Sequence, residues 1–215
     1  MTYPSSRLAT LAHAELPPPA EGRYRMGMPN TAPPWTREMV LALPEDGNRY
    51  ELFDGELLVT PAPTARHQWA VLAFYQRLYL YLGSAPIGVA CVSPADLRLE
   101  GKQAAQPDVF VVRYLPDGSL PARWKEFGIP LLAVEILSPG SARADRILKR
   151  RRYQRAGVPE YWVVDLDARA VERWRPGDER PELLDDLLNW KPDPGHPALS
   201  IRLAELFAAL PGPAK

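Results

Sequence analysis

The stretch Leu131–Leu137, LLAVEIL, places a single carboxylate, Glu135, inside an otherwise apolar run. A short continuous apolar run of this kind predicts a β-strand that is covered on both faces. A lone carboxylate is costly to remove from water, so we expect Glu135 to have a strong partner. A divalent metal ion is one candidate, and a buried ion pair with Arg143 or Lys149 is the alternative.

A second carboxylate, Asp108, lies one predicted strand upstream in Gln106–Val112, QPDVFVV. Because Pro107 cannot donate to a sheet ladder, it favours the first position of a strand, and Asp108 is then at the strand's mouth. If the two strands pair, Asp108 and Glu135 converge. Two carboxylates suit Mg²⁺ or Mn²⁺ better than zinc, and cysteine ligation is unavailable because Cys91 is the only cysteine. The alternative role for Asp108 is to cap a turn.

The segment after Glu135 predicts a helix. Ser138–Ser141, SPGS, ends the strand, and Ala142–Trp162 begins with a strongly polar helical stretch, ARADRILKRRRYQRA. We expect this helix to end near Ala156, because Gly157 suits a helix C-cap and Pro159 cannot continue the helix.

Three residues of this helix, Asp145, Lys149 and Tyr153, are spaced at i, i+4 and i+8 and therefore share one face. Lys149 lies one turn from Asp145 and can point back towards the carboxylate pair. An ordinary salt bridge between Lys149 and Asp145 is the competing interpretation.

Taken together, these segments resemble the bacterial restriction endonuclease family of the Uma2 type, which belongs to the PD-(D/E)XK nuclease superfamily. The resemblance spans roughly Trp35–Arg175. The matching residues, in chain order, are YELFDGELL (Tyr50–Leu58), His67, QPDVFVV (Gln106–Val112), VEILSPGS (Val134–Ser141), Asp145, Lys149, Tyr153 and GVPEYWVVD (Gly157–Asp165).

The resemblance implies an α/β restriction-endonuclease-like fold, a mixed β-sheet flanked by helices with an N-terminal β-hairpin. It also implies a metal-dependent endonuclease that hydrolyses DNA phosphodiester bonds and works as a homo-oligomer, a dimer or higher. In such a site Asp108, Glu135 and the backbone carbonyl of Ile136 hold Mg²⁺ or Mn²⁺, which activates water and stabilises charge on the phosphate.

One position departs from the superfamily pattern, which places a lysine two residues after the acid. Here that position is Leu137. Superfamily members can supply the lysine from the neighbouring helix, and Lys149 is the residue that does so under this resemblance, assisting the attacking water. The alternative is a nuclease-like fold that has lost catalysis and serves as a nucleic-acid-binding or protein-interaction module.

Two further residues match the family's motifs. Glu51 occupies the acidic position of the Y-E-L motif and is expected to hold a metal-bound water or a second ion, unless it simply faces solvent. His67, near a helix start, is expected to contact phosphate or shuttle a proton. Its alternative role is hydrogen bonding at the helix end.

The predicted helix also carries a basic cluster. Arg143–Arg155 contains seven basic residues and one acid, Asp145. We expect Arg146, Arg150 and Arg152 to contact phosphates, since such a cluster attracts nucleic acid. The alternative is a solvated helix face with a favourable positive C-terminal end.

Composition sets the remaining expectations. The chain has 215 residues, and its 26 basic and 26 acidic residues balance, so net charge does not decide for or against nucleic acid. One cysteine precludes an intrachain disulfide and suits the cytoplasm. The sequence lacks a membrane-spanning or signal-type segment, so we expect a soluble cytoplasmic protein without membrane contact.

The order of predicted elements gives a mixed α/β sheet. We expect a proline-rich, poorly ordered arm over residues 1–34, a domain over 35–207 and a tail over 208–215. A β-hairpin over Tyr50–Thr60 precedes a helix over Thr64–Leu82. The residues expected on the core face of this helix are Val71, Leu72, Tyr75, Leu78, Tyr79 and Leu82.

Overall fold

The apolar runs of the sequence form the central strands of a six-stranded sheet in the computed structural model of the chain. The residues that the structure describes are 34–36, 39–40, 42–44, 49–53, 56–60, 63–95, 97–99, 104–138 and 140–211. They belong to one unit that extends from Pro34 to Lys215. The predicted arm lies outside the described residues apart from Pro34, so the domain limits stay a prediction.

The strands are β1 (Arg49–Phe53), β2 (Glu56–Thr60), β3 (Gly88–Val92), β4 (Leu97–Arg98), β5 (Ala104–Ala105), β6 (Val109–Arg113), β7 (Leu132–Ile136), β8 (Glu160–Asp165), β9 (Ala170–Trp174), β10 (Glu182–Leu184), β11 (Leu187–Trp190) and β12 (Leu199–Arg202). The helices are α1 (Ala65–Ser84), a 3₁₀ turn (Trp124–Glu126), a π-helical turn (Ala144–Lys149) that continues into α2 (Arg150–Arg155), and α3 (Leu203–Ala208).

The central sheet has the strand order β10-β9-β8-β7-β6-β3. Strands β7 and β8 are parallel, because the helical segment between them crosses back over the sheet, and every other neighbouring pair is antiparallel. This confirms the predicted α/β class with a mixed sheet.

The two faces of the sheet are covered by different helices. Along β7, Leu132, Val134 and Ile136 face the core that contains the buried side of α1. Ala133 faces a second cluster that includes Tyr153 of α2 and Ala156, which follows the helix. Side chains alternate along a strand, so Glu135 lies on the α2 face with Ala133.

Helix α1 was predicted within two residues at each end, and Thr64 caps it by accepting the His67 backbone N–H at 3.2 Å. The prediction of its core face was partly wrong, because Leu72 and Tyr79 are 51% and 60% exposed. Apolar residues form more than one stripe on this helix, and periodicity did not identify the inner one. The buried residues are His67, Ala70, Val71, Phe74, Leu78, Tyr81 and Leu82.

The N-terminal hairpin is confirmed, with Phe53 opposite Glu56. Its connecting residues, 54 and 55, lie outside the described residues. Strand β4 is short, and its two residues, Leu97 and Arg98, pair with Ala104–Ala105. No helix of the described residues is long and apolar enough to cross a bilayer.

The predicted basic helix ends as expected, with Gly157 at a φ of 76°. Its beginning differs from the prediction, because Ala144–Lys149 forms a π-helical turn in which the Arg150 N–H donates to the Asp145 carbonyl. The spacing of residues in the sequence does not indicate this widened turn, since Asp145 and Lys149 are neighbours in both an α-helical and a π-helical turn.

Candidate active site

Asp108 and Glu135 are brought together by the antiparallel pairing of β6 and β7. Val109 lies opposite Val134, and the same register continued by one residue places Asp108 opposite Glu135. Their residue exposures are 4% and 1%. The two predicted ligands are therefore both buried and occupy neighbouring positions, with Asp108 immediately before β6 and Glu135 in β7.

The Asp108 carboxylate is held from two directions. The backbone N–H of Ile136 in β7 donates to Oδ2 at 2.9 Å, and His67 Nε2 of α1 lies 3.1 Å from the same oxygen. The imidazole donates this bond when its proton is on Nε2. Asp108 thus links α1 to the centre of the sheet.

Lys149 reaches Glu135 of the carboxylate pair, as predicted from its position on the helix face. Its Nζ lies 3.0 Å from Glu135 Oε1 and 3.0 Å from Asp145 Oδ1. All three residues are about 1% exposed. The lysine therefore forms both the contact expected of an active-site lysine and the i,i+4 salt bridge that was its alternative.

Asp145 is anchored by groups other than Lys149. Its backbone carbonyl accepts the Tyr161 hydroxyl at 3.0 Å, and its backbone N–H donates to the Ser141 carbonyl at 2.9 Å. Burial raises the pKa of the Asp145 carboxyl, and the Lys149 ammonium acts in the opposite direction. Burial, with the charges of Asp145 and Glu135, raises the pKa of Tyr161 well above its ordinary value, so the phenol stays protonated and donates.

Tyr153, the third residue of the shared helix face, contributes a hydroxyl to the site in addition to its packing. The ring is buried against Tyr161, with 4.7 Å between ring centroids, but the hydroxyl also donates to Glu135 Oε1 at 3.2 Å. The i, i+4, i+8 spacing with Asp145 and Lys149 was the signal that placed this hydroxyl near the site.

The model of the Uma2 family, described as "Putative restriction endonuclease", matches residues 37–204, most of the chain. The chain belongs to the Uma2 family. A similar solved structure is described as a "putative nuclease belonging to DUF820 from Anabaena variabilis ATCC 29413". It has a TM-score of 0.65 and 22% identity, and the match covers 81% of this chain and 98% of the other.

At this identity the structural likeness concerns the fold, which it confirms as nuclease-like and α/β. No match was found among curated proteins.

In this Uma2 chain Leu137 cannot replace the lysine of the superfamily pattern. It lies two residues beyond Glu135, and it is half-buried against the apolar cluster on the α2 face. Its backbone N–H donates to the Val164 carbonyl at 2.9 Å. The ammonium near Glu135 therefore comes from the helix.

The three arginines expected to contact phosphates lie against the Uma2 chain itself; we call them the inward arginines: Arg146, Arg150 and Arg152. Arg146 bonds Glu172 Oε1 at 2.5 Å and Asp165 Oδ2 at 2.9 Å. The Arg150 guanidinium lies 4.6 Å from the Trp174 ring centroid, and Arg152 is 8% exposed.

Other arginines of the same segment are exposed; we call them the outward arginines: Arg143, Arg151 and Arg155. Helical periodicity alone did not separate the two groups, because arginine occupies several faces of this short helix. The phosphate role of the inward arginines stays a prediction.

Glu51 lies in β1 opposite Leu58, and its side chain is outside the described residues. Its role stays a prediction.

The donor set of the Uma2 site suits a hard divalent ion. Asp108 and Glu135 supply carboxylates, and both N–H and C=O of a strand residue point to the same neighbouring strand, so the Ile136 carbonyl is expected on the side of Asp108. Among the described residues, no three His, Cys, Asp or Glu side chains form a metal cluster. The arrangement fits an ion that keeps several of its waters, as Mg²⁺ does.

Proposed function

We propose that this Uma2 protein is a metal-dependent endonuclease that hydrolyses phosphodiester bonds in DNA. The observation that carries the proposal is the buried carboxylate pair, Asp108 and Glu135, with the Lys149 ammonium 3.0 Å from Glu135. An ion-pair network that only stabilises the fold does not require two buried acids at opposite positions of paired strands. Membership of a family described as restriction endonucleases supports the same activity.

Asp108, Glu135 and the Ile136 carbonyl are the proposed ligands of Mg²⁺ or Mn²⁺. When bound, the ion supplies Lewis-acid activation of water and charge compensation at the phosphate. His67 holds the Asp108 carboxylate in place through the contact with Oδ2.

Lys149 is the proposed catalytic residue. Its ammonium, held beside Glu135, orients the attacking water and offsets negative charge that develops on the phosphate. Glu51 is proposed to add an acidic group from the hairpin. The inward arginines stay proposed phosphate contacts, although their packing against the chain favours a structural role and makes the outward arginines the better candidates.

DNA is the proposed substrate, and a homo-oligomer is proposed because two protomers can each address one strand. Leu137 favours one alternative, a nuclease-like module that binds nucleic acid or protein without cutting. This alternative predicts binding without metal-dependent cleavage.

The test uses two single variants, Asp108→Asn and Glu135→Gln. We expect each variant to lose Mn²⁺ binding in calorimetry, to lose the ion-dependent rise in melting temperature, and to lose DNA cleavage. Asp117→Asn is the control, since Asp117 is exposed and bonds only nearby Ser119 in the described structure. Unchanged Mn²⁺ affinity in either variant contradicts the metal site. Wild-type Mn²⁺ binding without cleavage favours the module.

A further inference from the structure

The Lys149 ammonium lies between two carboxylates that belong to different elements. Glu135 is on β7, and Asp145 is one turn before Lys149 on the same helical segment. Both N–O distances are 3.0 Å and all three groups are buried, so electrostatic interactions among them are screened little by solvent. The proposed function assigns roles to Glu135 and Lys149 but none to Asp145.

We propose that Asp145 is a positioning residue, which holds the Lys149 ammonium beside Glu135 and neutralises its charge so that the Asp108–Glu135 pair can bind a divalent cation. This inference rests on the proposed function.

The first support for this role of Asp145 is the balance of charges in the site. With Lys149 neutralised by Asp145, the ionised pair of Asp108 and Glu135 has two negative charges, which match one divalent cation. Without the charge of Asp145, the ammonium acts on Glu135 alone at 3.0 Å. It then opposes any cation that approaches that carboxylate, because like charges repel strongly in a buried site.

The second support is that contacts other than Lys149 hold Asp145 in place. Its carbonyl accepts both the Arg150 N–H of the π-helical turn and the Tyr161 hydroxyl, and its backbone N–H donates to the Ser141 carbonyl. These contacts fix Asp145 independently of Lys149. Asp145 can therefore keep the ammonium in the site when Glu135 turns to a cation.

The local backbone supports this reading. Asp145 and Lys149 are both within the π-helical turn Ala144–Lys149. Turns of this kind are rare and occur frequently at functional sites. A plain i,i+4 salt bridge needs only an ordinary α-helix.

Two other roles for Asp145 are separable by experiment. As a direct metal ligand, Asp145 would act independently of Lys149. As a packing residue, it would tolerate asparagine, which has nearly the same shape. A positioning residue acts only through Lys149 and needs its charge.

The test is a double-mutant cycle on Mn²⁺ affinity, measured by calorimetry with MnCl₂ on the full chain. We expect Asp145→Asn to weaken Mn²⁺ binding about tenfold in the wild-type background, as for other residues that orient a metal site. In a Lys149→Met background, the same change should alter the affinity by less than about twofold. Asp165→Asn is the matched control, since it breaks the Arg146 ion pair of the same helix without touching Lys149.

Equal losses in both backgrounds would identify a direct ligand and overturn the inference, as would no loss in either. If Lys149→Met does not fold, Asp145→Glu replaces the cycle. It should retain more Mn²⁺ affinity than Asp145→Asn if charge matters, and less if only packing matters.

Failure of the proposed function looks different, because wild type itself then binds no Mn²⁺ and the inference falls with it. If wild type binds Mn²⁺ but does not cleave DNA, the cycle still decides the role of Asp145.

Discussion

Replacing Lys149 with methionine should have opposite effects on stability and on metal binding. The lysine is about 1% exposed and lies 3.0 Å from both Glu135 and Asp145, so its removal leaves two buried carboxylates without this ammonium. Removing one partner of a buried ion pair typically costs about 3–5 kcal/mol. We expect a loss in this range in the free energy of unfolding, measured with urea in the absence of divalent ions.

Added Mn²⁺ should then stabilise the Lys149→Met variant more than the wild type. The cation would take over as the charged partner of Glu135, and it would no longer compete with the ammonium. A ligand at a hundred times its Kd adds about 2.7 kcal/mol to stability, which is enough to recover much of the loss. DNA cleavage should nevertheless fall roughly 10²- to 10⁴-fold, because no other group replaces the positioned acid-base residue.

The control is Lys191→Met, which removes an exposed lysine outside the site. A second variant, Leu137→Lys in the Lys149→Met background, should restore part of the cleavage, since residue 137 shares a strand face with Glu135. A stability loss below about 1 kcal/mol, the size expected of an exposed pair, would refute the buried ion-pair argument. Undiminished cleavage by Lys149→Met would refute the catalytic role.

Two further predictions concern groups around the site. His67→Leu should weaken Mn²⁺ binding about tenfold, because Asp108 then loses an orienting hydrogen bond. His67→Gln can still donate a hydrogen bond and should retain more affinity. Equal Mn²⁺ affinities of the two variants in calorimetry would argue against this role of His67. Replacing the outward arginines with alanine should lower the slope of log affinity against log salt by about one unit for each arginine that binds a phosphate, while replacing the inward arginines should mainly lower stability. The reverse result would return the phosphate-binding role to the inward group.

The central sheet could be predicted because each of its inner strands is indicated by the residues of that strand alone. Strands β6 and β7 are buried on both faces apart from Arg113 at the end of β6, and each appears in the sequence as an apolar run that Glu135 alone interrupts in β7. Turn chemistry likewise indicated the hairpin and the end of the basic helix at Gly157. The single carboxylate inside β7 then pointed to the candidate site, because burial without a partner is costly.

The sequence did not predict which face of a helix packs against the sheet when several faces have similar side chains. Helix α1 has apolar side chains on more than one stripe, and tertiary packing buried Phe74 while leaving Tyr79 exposed. The basic segment presents arginine on several faces, and acids on β8 and β9 draw Arg146 inward. Such choices depend on residues far away in sequence, so local periodicity does not determine them.

The position of the lysine beside Glu135 follows from the face of the sheet rather than from sequence adjacency. Residues 135 and 137 point to the same face, and the helical segment after β7 packs on that face, so either backbone can deliver an ammonium to Glu135. A leucine at 137 then contributes to the apolar packing beneath the helix. Delivery from the helix has an additional consequence, because Asp145 lies one turn before Lys149 and can hold the ammonium. A lysine at 137 has no acid at that spacing on its own strand.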